Sequence, residues 1–206
     1  MQSTIEQAIK SYSPKPIGEE KAYAVLLPLI TIDNEWHVLY EVRSETISQP
    51  GEVSFPGGRI EAGESPQEAA VRETHEELNI PTEAIIVLGE IDYLVQNHRT
   101  IHCFVGQLHI DCLSKITPNQ DEVANIFTIP LHSLIEQPPT YYKLQSQFHI
   151  EDDFPIERLS NKGKTFRLNP QANKIPFYEQ GSELLWGMTA LFTHRFTEII
   201  KDCGID

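Results

Sequence analysis

The chain has 206 residues, 40% of them apolar, and a formal net charge of −14. That length supports one domain with a real hydrophobic core, and so acidic a chain is a poor non-specific binder of nucleic acid or of anionic membranes. It also means that a polyphosphate substrate needs local cations in order to approach. In chain order, residues 2–12 are predicted as a short helix, closed by Pro14 and Pro16. Ala22–Thr31 is apolar and β-prone and reads as a buried strand despite Pro28. Asp33-Asn34 signals a turn, and Trp36–Arg43 alternates as the second strand of a hairpin. Residues 44–57 read as a loop rich in Ser, Gln, Pro and Gly. A helix is predicted over 66–78, and strands over Ile85–Leu94 and Ile101–Ile110, with Asn97-His98-Arg99 between them. Val123–Ile129 is a further short strand, and Pro130–Glu136 a helical turn ended by Pro138-Pro139. In the stretch 140–181, Phe148–Phe154 and Phe166–Phe177 contain strand-like pieces. Ser182–Lys201 is predicted as a helix whose core face is Leu185, Met188, Phe192, Phe196 and Ile199. Mixed strands with one early and one late helix give an α/β or α+β fold. No internal repeat or long linker is visible, so residues 1–206 read as one domain, with residues 1–21 as an N-terminal extension and 182–201 as a C-terminal core helix.

Cys103, Cys112 and Cys203 are too few and too irregular for a disulfide framework or a CxxC metal site, which suits reduced thiols and a cytoplasmic location. Met1-Gln2-Ser3 leads into a polar segment, which predicts no signal peptide. No apolar stretch reaches the roughly 20 residues that span a bilayer, so neither a membrane nor nucleic acid is expected as a partner. A homodimer is allowed by the sequence.

The chemistry concentrates in residues 58–80. Ser65-Pro66-Gln67-Glu68 is a capping box with proline at the first helical position. Asn79 suits the left-handed conformation that closes a helix, and Pro81 forbids continuation. Within the helix so bounded, Glu73, Glu76 and Glu77 stand at i, i+3 and i+4 and share an arc of roughly 100°. Ala70, Val71, Thr74 and Leu78 fall on the flank away from that arc. Like charges at these spacings repel, whereas a divalent cation such as Mg²⁺ or Mn²⁺ prefers oxygen ligands and reverses the interaction. The plain alternative is a solvated acidic face. Arg72 is placed to pair with Glu76 or Glu64 and so to orient carboxylates. Gly57-Gly58 allows a tight backbone before the helix and offers a carbonyl as a further ligand. His75 lies off the metal arc and reads as packing.

Residues 58–80 resemble the Nudix box, G-x5-E-x7-R-E-U-x-E-E-x-G-U with U bulky and apolar. Gly58, Glu64, Arg72, Glu73, Glu76, Glu77 and Ile80 match it, while Thr74 replaces an apolar U and Asn79 the final glycine. The resemblance implies an α/β/α sandwich with a mixed β-sheet and a hydrolase of nucleoside diphosphates linked to another moiety. It implies Mg²⁺ or Mn²⁺ as cofactor, Glu73 and Glu77 as the leading metal ligands, Glu76 as a further one, and the Gly58 carbonyl beside them. The general base varies among Nudix enzymes; Glu122, in the Asp121-Glu122 pair before a strand, is the choice here, against a loop acid pointing at water.

A second resemblance is to the coenzyme A pyrophosphatase branch. It rests on Val42-Arg43-Ser44-Glu45, on Gly51-Glu52-Val53-Ser54-Phe55-Pro56-Gly57-Gly58, and on Leu185-Trp186-Gly187-Met188-Thr189-Ala190. It implies hydrolysis of coenzyme A or acyl-coenzyme A to 3′,5′-ADP and 4′-phosphopantetheine or its acyl form. Arg43 would contact substrate phosphates, or pair with Glu45. The branch carries another arginine in the loop, where this chain has Ile47 or Ser48; His98 and Arg99 are the candidates to replace it, against an ordinary exposed hairpin tip. The alternatives are a Nudix hydrolase of ADP-ribose or a dinucleotide, and a non-catalytic nucleotide sensor.

Overall fold

The computed structural model describes residues 2–13, 21–96, 98–110, 112–145, 153–155, 158, 172–179 and 183–204. The prolines 14 and 16, Asn97, and most of the pieces predicted over 148–154 and 166–171 lie outside the described residues.

The elements are α1 (Gln2–Ser11), β1 (Lys21–Ile32), β2 (Glu35–Arg43), β3 (Val53–Ser54), β4 (Gly57–Arg59), α2 (Pro66–Leu78), β5 (Ile85–Glu90), β6 (Leu94–Gln96) and β7 (Arg99–Leu108). They continue with β8 (Val123–Pro130), α3 (Leu131–Glu136), β9 (Thr140–Gln145), β10 (Ala172–Tyr178), β11 (Leu185–Trp186) and α4 (Gly187–Asp202). The main sheet runs β3-β2-β1-β7-β5, with β8 on β2, β4 on β1 and β6 on β7. Among the described residues only the β1–β7 ladder of this sheet is parallel, so the sheet is mixed. A smaller antiparallel sheet runs β11-β10-β9.

β1 shows why the sheet has two covered faces. Ala24, Leu26 and Ile30 pack in one cluster with Ala69, Ala70 and Leu78 of α2. The alternate residues Leu27 and Leu29 pack in the other, with Leu134 of α3 and Phe192 and Phe196 of α4. A strand buried on both faces reads as a continuous apolar run, which is how Ala22–Thr31 looks in the sequence. The layers are therefore helix, sheet, helix, the expected α/β/α sandwich. Asp33 and Asn34 both hold positive φ, 50° and 65°, the two-residue geometry that matches strand twist in a tight hairpin.

Some predicted elements differ. The strand predicted over Ile85–Leu94 splits: its register shifts between Val87 and Gly89, and β5 stops at Glu90. β7 begins at Arg99, two residues before the predicted start, because β6 and β7 form a close hairpin turned at His98 with φ 60°. The last helix begins at Gly187 rather than at 182, since Leu185 and Trp186 pair with Tyr178 and Phe177 on β10. Its buried face is Thr189, Ala190, Phe192, Thr193, Phe196 and Thr197, whereas Met188 stays 40% exposed. Leu185 is buried, but from the strand. Two buried hydrogen bonds join α4 to the sheet side: Thr189 Oγ1 donates to the Val53 carbonyl at 3.0 Å, and Tyr40 Oη and Thr193 Oγ1 share one at 3.1 Å.

Candidate active site

The site forms where α2 meets β4. Ser65 accepts from the Glu68 amide and Glu68 reaches back to the Ser65 amide, so the capping box is complete. At the other end Asn79 is left-handed, φ 52°, and its Nδ2 donates to the Thr117 carbonyl at 2.8 Å. These two stops fix which residues of α2 face the sheet. Glu77 points inward and is buried, Glu73 is half-buried, and Glu76 points outward with half its side chain exposed. The arc that Glu73, Glu76 and Glu77 share is a gradient from core to solvent, with Glu73 in the middle.

Arg72 binds along that gradient. Its Nε donates to Glu64 Oε1 at 2.8 Å and Nη2 to Glu64 Oε2 at 3.2 Å. Nη1 donates to Glu73 Oε1 at 2.9 Å and to Glu76 Oε2 at 3.1 Å, and Nη2 also reaches the Arg59 carbonyl at 3.2 Å. A guanidinium has five N–H donors in a fixed fork, and five contacts take them up. Glu64 holds the Arg72 proton most strongly and raises its pKa; in return the Arg72 bond holds Glu64 below the usual carboxylate range, helped by the Glu61 amide.

Gly57 and Gly58 bring β4 against both β1 and α2. The Gly57 amide donates to Glu77 Oε2 at 2.8 Å. A Cβ at Gly57 would strike the Ala24 carbonyl, and one at Gly58 would strike the Glu73 carboxylate. Gly58 pairs with Ala24 in the β1–β4 ladder.

Glu41 is a member of this site that sequence reasoning missed. It lies on β2, only 2% exposed, and its Oε1 has no hydrogen-bond partner among the described residues. Burial lifts its pKa well above the carboxylate range, with Glu77 next in effect. Burial likewise pushes Glu77 up to about 8, against the Gly57 hydrogen bond and with Glu73 and Glu122 adding to the rise. Glu73 is raised too, first by burial, while Arg72 opposes and Glu76 and Glu122 add. Glu122 is thus close enough to repel all three, as its choice as a distal carboxylate requires. It is half-buried, and its carbonyl accepts from the Ser44 amide at 2.9 Å. The turn that carries it is pinned to α2, because the Asn119 amide donates to the Glu77 carbonyl at 2.8 Å.

Three glutamates with raised proton affinity, Glu41, Glu73 and Glu77, and one orphaned buried oxygen are a donor set suited to a hard divalent cation. Among the described residues no three His, Cys, Asp or Glu side chains converge into a ready-made cage. Arg72 instead holds Glu73 and Glu76, and the Gly57 amide holds Glu77.

Beside Gly57 and Gly58 lies a pocket of about 270 Å³ that Arg43 and Arg99 both line. Arg43 does not pair with Glu45; its Nε donates to the Ser48 carbonyl at 2.8 Å. Arg99 lies over the Tyr23 ring, 5.7 Å from its centroid. His98 is the sequence candidate that the fold leaves out. It occupies the exposed turn of the β6–β7 hairpin and does not line this pocket. His75, read as packing, is exposed; its Nδ1 instead donates to the Ile80 carbonyl at 2.6 Å and closes the end of α2.

A helix–sheet–helix sandwich with a glutamate helix locked behind a diglycine strand is the architecture of a Nudix domain, and the NUDIX domain family matches residues 21–149. The chain belongs to the Nudix hydrolases, which cleave pyrophosphate bonds in small nucleotide derivatives and generally use divalent cations. It is similar to Nudix hydrolase 3 of Caenorhabditis elegans, 29% identical over 210 residues, covering 95% of this chain and 84% of the relative. It is also similar to mitochondrial coenzyme A diphosphatase NUDT8 of Homo sapiens, 30% identical over 182 residues, covering 86% of this chain and 68% of the relative. The crystal structure of a MutT/nudix family protein from Enterococcus faecalis shares the fold, with a TM-score of 0.55 at 11% identity over 98% of this chain and 70% of that one. No helix among the described residues is long and apolar enough to cross a membrane.

Proposed function

We propose that the protein hydrolyses the diphosphate of coenzyme A or acyl-coenzyme A to 3′,5′-ADP and 4′-phosphopantetheine or its acyl derivative. The observation that carries this reading is the placement of Arg43. The Arg-Ser strand end and the G-x3-F-P-G-G segment meet at one pocket, with Arg43 facing Gly57 and Gly58. The similarity to NUDT8, over most of this chain, supports the same substrate.

In this proposal Glu73 and Glu77 hold Mg²⁺ or Mn²⁺, with Glu76, the Gly58 carbonyl and the free oxygen of Glu41 as further donors. When bound, such cations neutralise diphosphate charge and make water a stronger nucleophile near neutral pH. Arg72 positions Glu64, Glu73 and Glu76 and has no donor left for substrate. Arg43 and Arg99 orient the phosphates, and Glu122 takes the proton from the attacking water. Residues 1–206 act as one domain, in the cytoplasm, with α4 closing one wall of the cleft; a homodimer is compatible with this arrangement.

The loop favours one competing reading. Where the branch has a further arginine, this chain has Ile47 or Ser48, and the Ser48 carbonyl already occupies Arg43. ADP-ribose, which carries a diphosphate and no third phosphate, would need fewer phosphate contacts. Product analysis with Mg²⁺ and Mn²⁺ over coenzyme A, acyl-coenzyme A, ADP-ribose and a dinucleotide separates the two. 3′,5′-ADP and 4′-phosphopantetheine should appear from coenzyme A; cleavage of ADP-ribose with coenzyme A left intact would sink the narrower assignment.

A further inference from the structure

Ser44 follows Arg43 in the chain but does not share its pocket. It is 4% exposed and turned into the fold. Its Oγ donates to the Asp121 carbonyl at 2.7 Å, 77 residues away in sequence. Thr46 Oγ1 donates to the same carbonyl, whose two lone pairs take both hydroxyls. The backbone adds a third tie, from the Ser44 amide to the Glu122 carbonyl at 2.9 Å. Arg43 is held separately: its amide donates to the Glu52 carbonyl at 3.0 Å, and its carbonyl accepts from the Gly51 amide at 2.9 Å.

Asn119 ties the other end of the same turn. Its amide donates to the Glu77 carbonyl at 2.8 Å, and its carbonyl accepts from the Glu122 and Val123 amides at 3.0 and 2.8 Å. Its side chain spans the turn, where Oδ1 accepts from the Asp121 amide at 3.2 Å and Nδ2 donates to Glu122 Oε1 at 3.3 Å. The β2–β8 register then shifts opposite Arg43. Val42 pairs with Asn125 and Arg43 with Val123, which leaves Ala124 as an extra residue. Such bulges re-aim side chains and recur next to active sites, and this one directly follows Glu122-Val123. A glutamate side chain has considerable rotamer freedom to lose, and here bonds from two directions restrict it.

We propose that Ser44, Thr46 and Asn119 are positioning residues that hold the Glu122 carboxylate between the Arg43 strand end and the glutamate helix α2. Ser44 and Thr46 fix the turn to the strand that carries Arg43. Asn119 fixes it to α2 and orients the carboxylate. All three act through Glu122 and leave substrate to Arg43. The inference rests on the reading of Glu122 as the proton acceptor and deepens it: base and phosphate-binding arginine ride on one hydrogen-bonded unit.

The test is a set of double-variant cycles on kcat, with saturating Mg²⁺ and the substrate of the panel that turns over fastest. Glu122→Gln alone should lower kcat about a hundredfold or more, as loss of a general base does. Ser44→Ala/Thr46→Val and Asn119→Ala should each lower kcat about tenfold to a hundredfold, the loss that follows a misplacement of about 1 Å. KM should change less than about twofold, because Arg43 keeps its own bonds. In a Glu122→Gln background the same substitutions should cost almost nothing further, since groups that act as a unit are non-additive. Full additivity overturns the proposal. So does a raised KM with kcat intact, which assigns Ser44 to the placement of Arg43. Amide hydrogen exchange on metal-free protein supplies a readout without turnover. The Asp121, Glu122 and Val123 amides should exchange faster in the variants while those of α2 keep the wild-type rate. Unchanged exchange at the turn, or faster exchange spread through α2 and the sheet, also overturns the proposal. Wild-type kcat in Glu122→Gln removes the base reading and the proposal with it. If no substrate of the panel is cleaved, the functional reading fails by itself, and exchange still decides whether these residues hold the Glu122 turn.

Discussion

The helices α2 and α4 flank the same sheet and are built by opposite means. α2 is stopped at both ends by its own side chains, Ser65 and Glu68 at one end and Asn79 at the other. α4 has no side-chain cap at its start; it begins where β11 leaves its ladder, at Gly187 with φ 66°. α2 devotes one face to carboxylates and contributes Ala69, Ala70 and Leu78 to the core, while α4 buries a threonine-rich face and gives Met188 to the cleft. Position on α2 is thus a local property, as suits groups that must be held within fractions of an ångström. Position on α4 is inherited from the β10–β11 ladder that ends where the helix begins.

Glu77→Gln should break this division most severely. Loss of an outer partner to a metal ligand costs about 10–100-fold, so loss of the ligand should lower kcat by more than about a hundredfold, read by product release with saturating Mg²⁺. The same substitution should act in the reverse sense on the metal-free fold. A carboxyl raised to about 8 in the folded chain and near 4.3 when unfolded contributes stability below the lower value. That contribution is lost as pH rises through the upper one. Melting in chelator should therefore fall between pH 5 and pH 8.5 by an amount on the order of a few kcal/mol for the wild type. Glu77→Gln should flatten that slope; an unchanged slope would show that Glu77 is ionised in the free protein.

Arg72→Lys tests whether the planar fork, rather than charge, aligns the carboxylates. Lysine cannot reproduce five fixed donors, and activity or metal affinity should drop about 10–100-fold; full activity would reduce Arg72 to a counter-charge. The smallest effect belongs to the cap. Ser65→Ala should cost about 1 kcal/mol of stability by denaturant unfolding while kcat changes little, because Asn79 and the Gly57–Glu77 bond still hold the far end of α2. A large kcat loss would mean that the helix is less self-contained than its caps imply.

The same contrast explains what the sequence could and could not reveal. The caps of α2, the spacing of Glu73, Glu76 and Glu77 and the Arg72–Glu64 pairing depend on neighbours within a few residues or on one helix, so pattern reading reached them. Glu41 did not stand out, because a glutamate in an alternating strand looks like a solvent-facing residue. Its burial follows from a position inside the sheet, where Glu41 pairs with Ser54 of β3 on one side and Ile126 of β8 on the other. The start of α4 was misplaced because Leu185 fits the helical period of Phe192 and Phe196, and a strand of two residues, Leu185–Trp186, carries no period of its own to mark its pairing with β10. His98 and Arg99 were indistinguishable as neighbours in a hairpin, until the turn at φ 60° sent one to solvent and the other to the pocket.

The two missing methyl groups at Gly57 and Gly58 act as a spacing gauge for the whole site. One sets how near β4 lies to β1, the other how near it lies to α2, and the Gly57 amide reads out both by touching Glu77. An alanine at either position would leave every charged group in the chain present. It would nevertheless push β4 off β1 at Gly57 or off α2 at Gly58, so that catalytic alignment could be lost with the chemical composition intact.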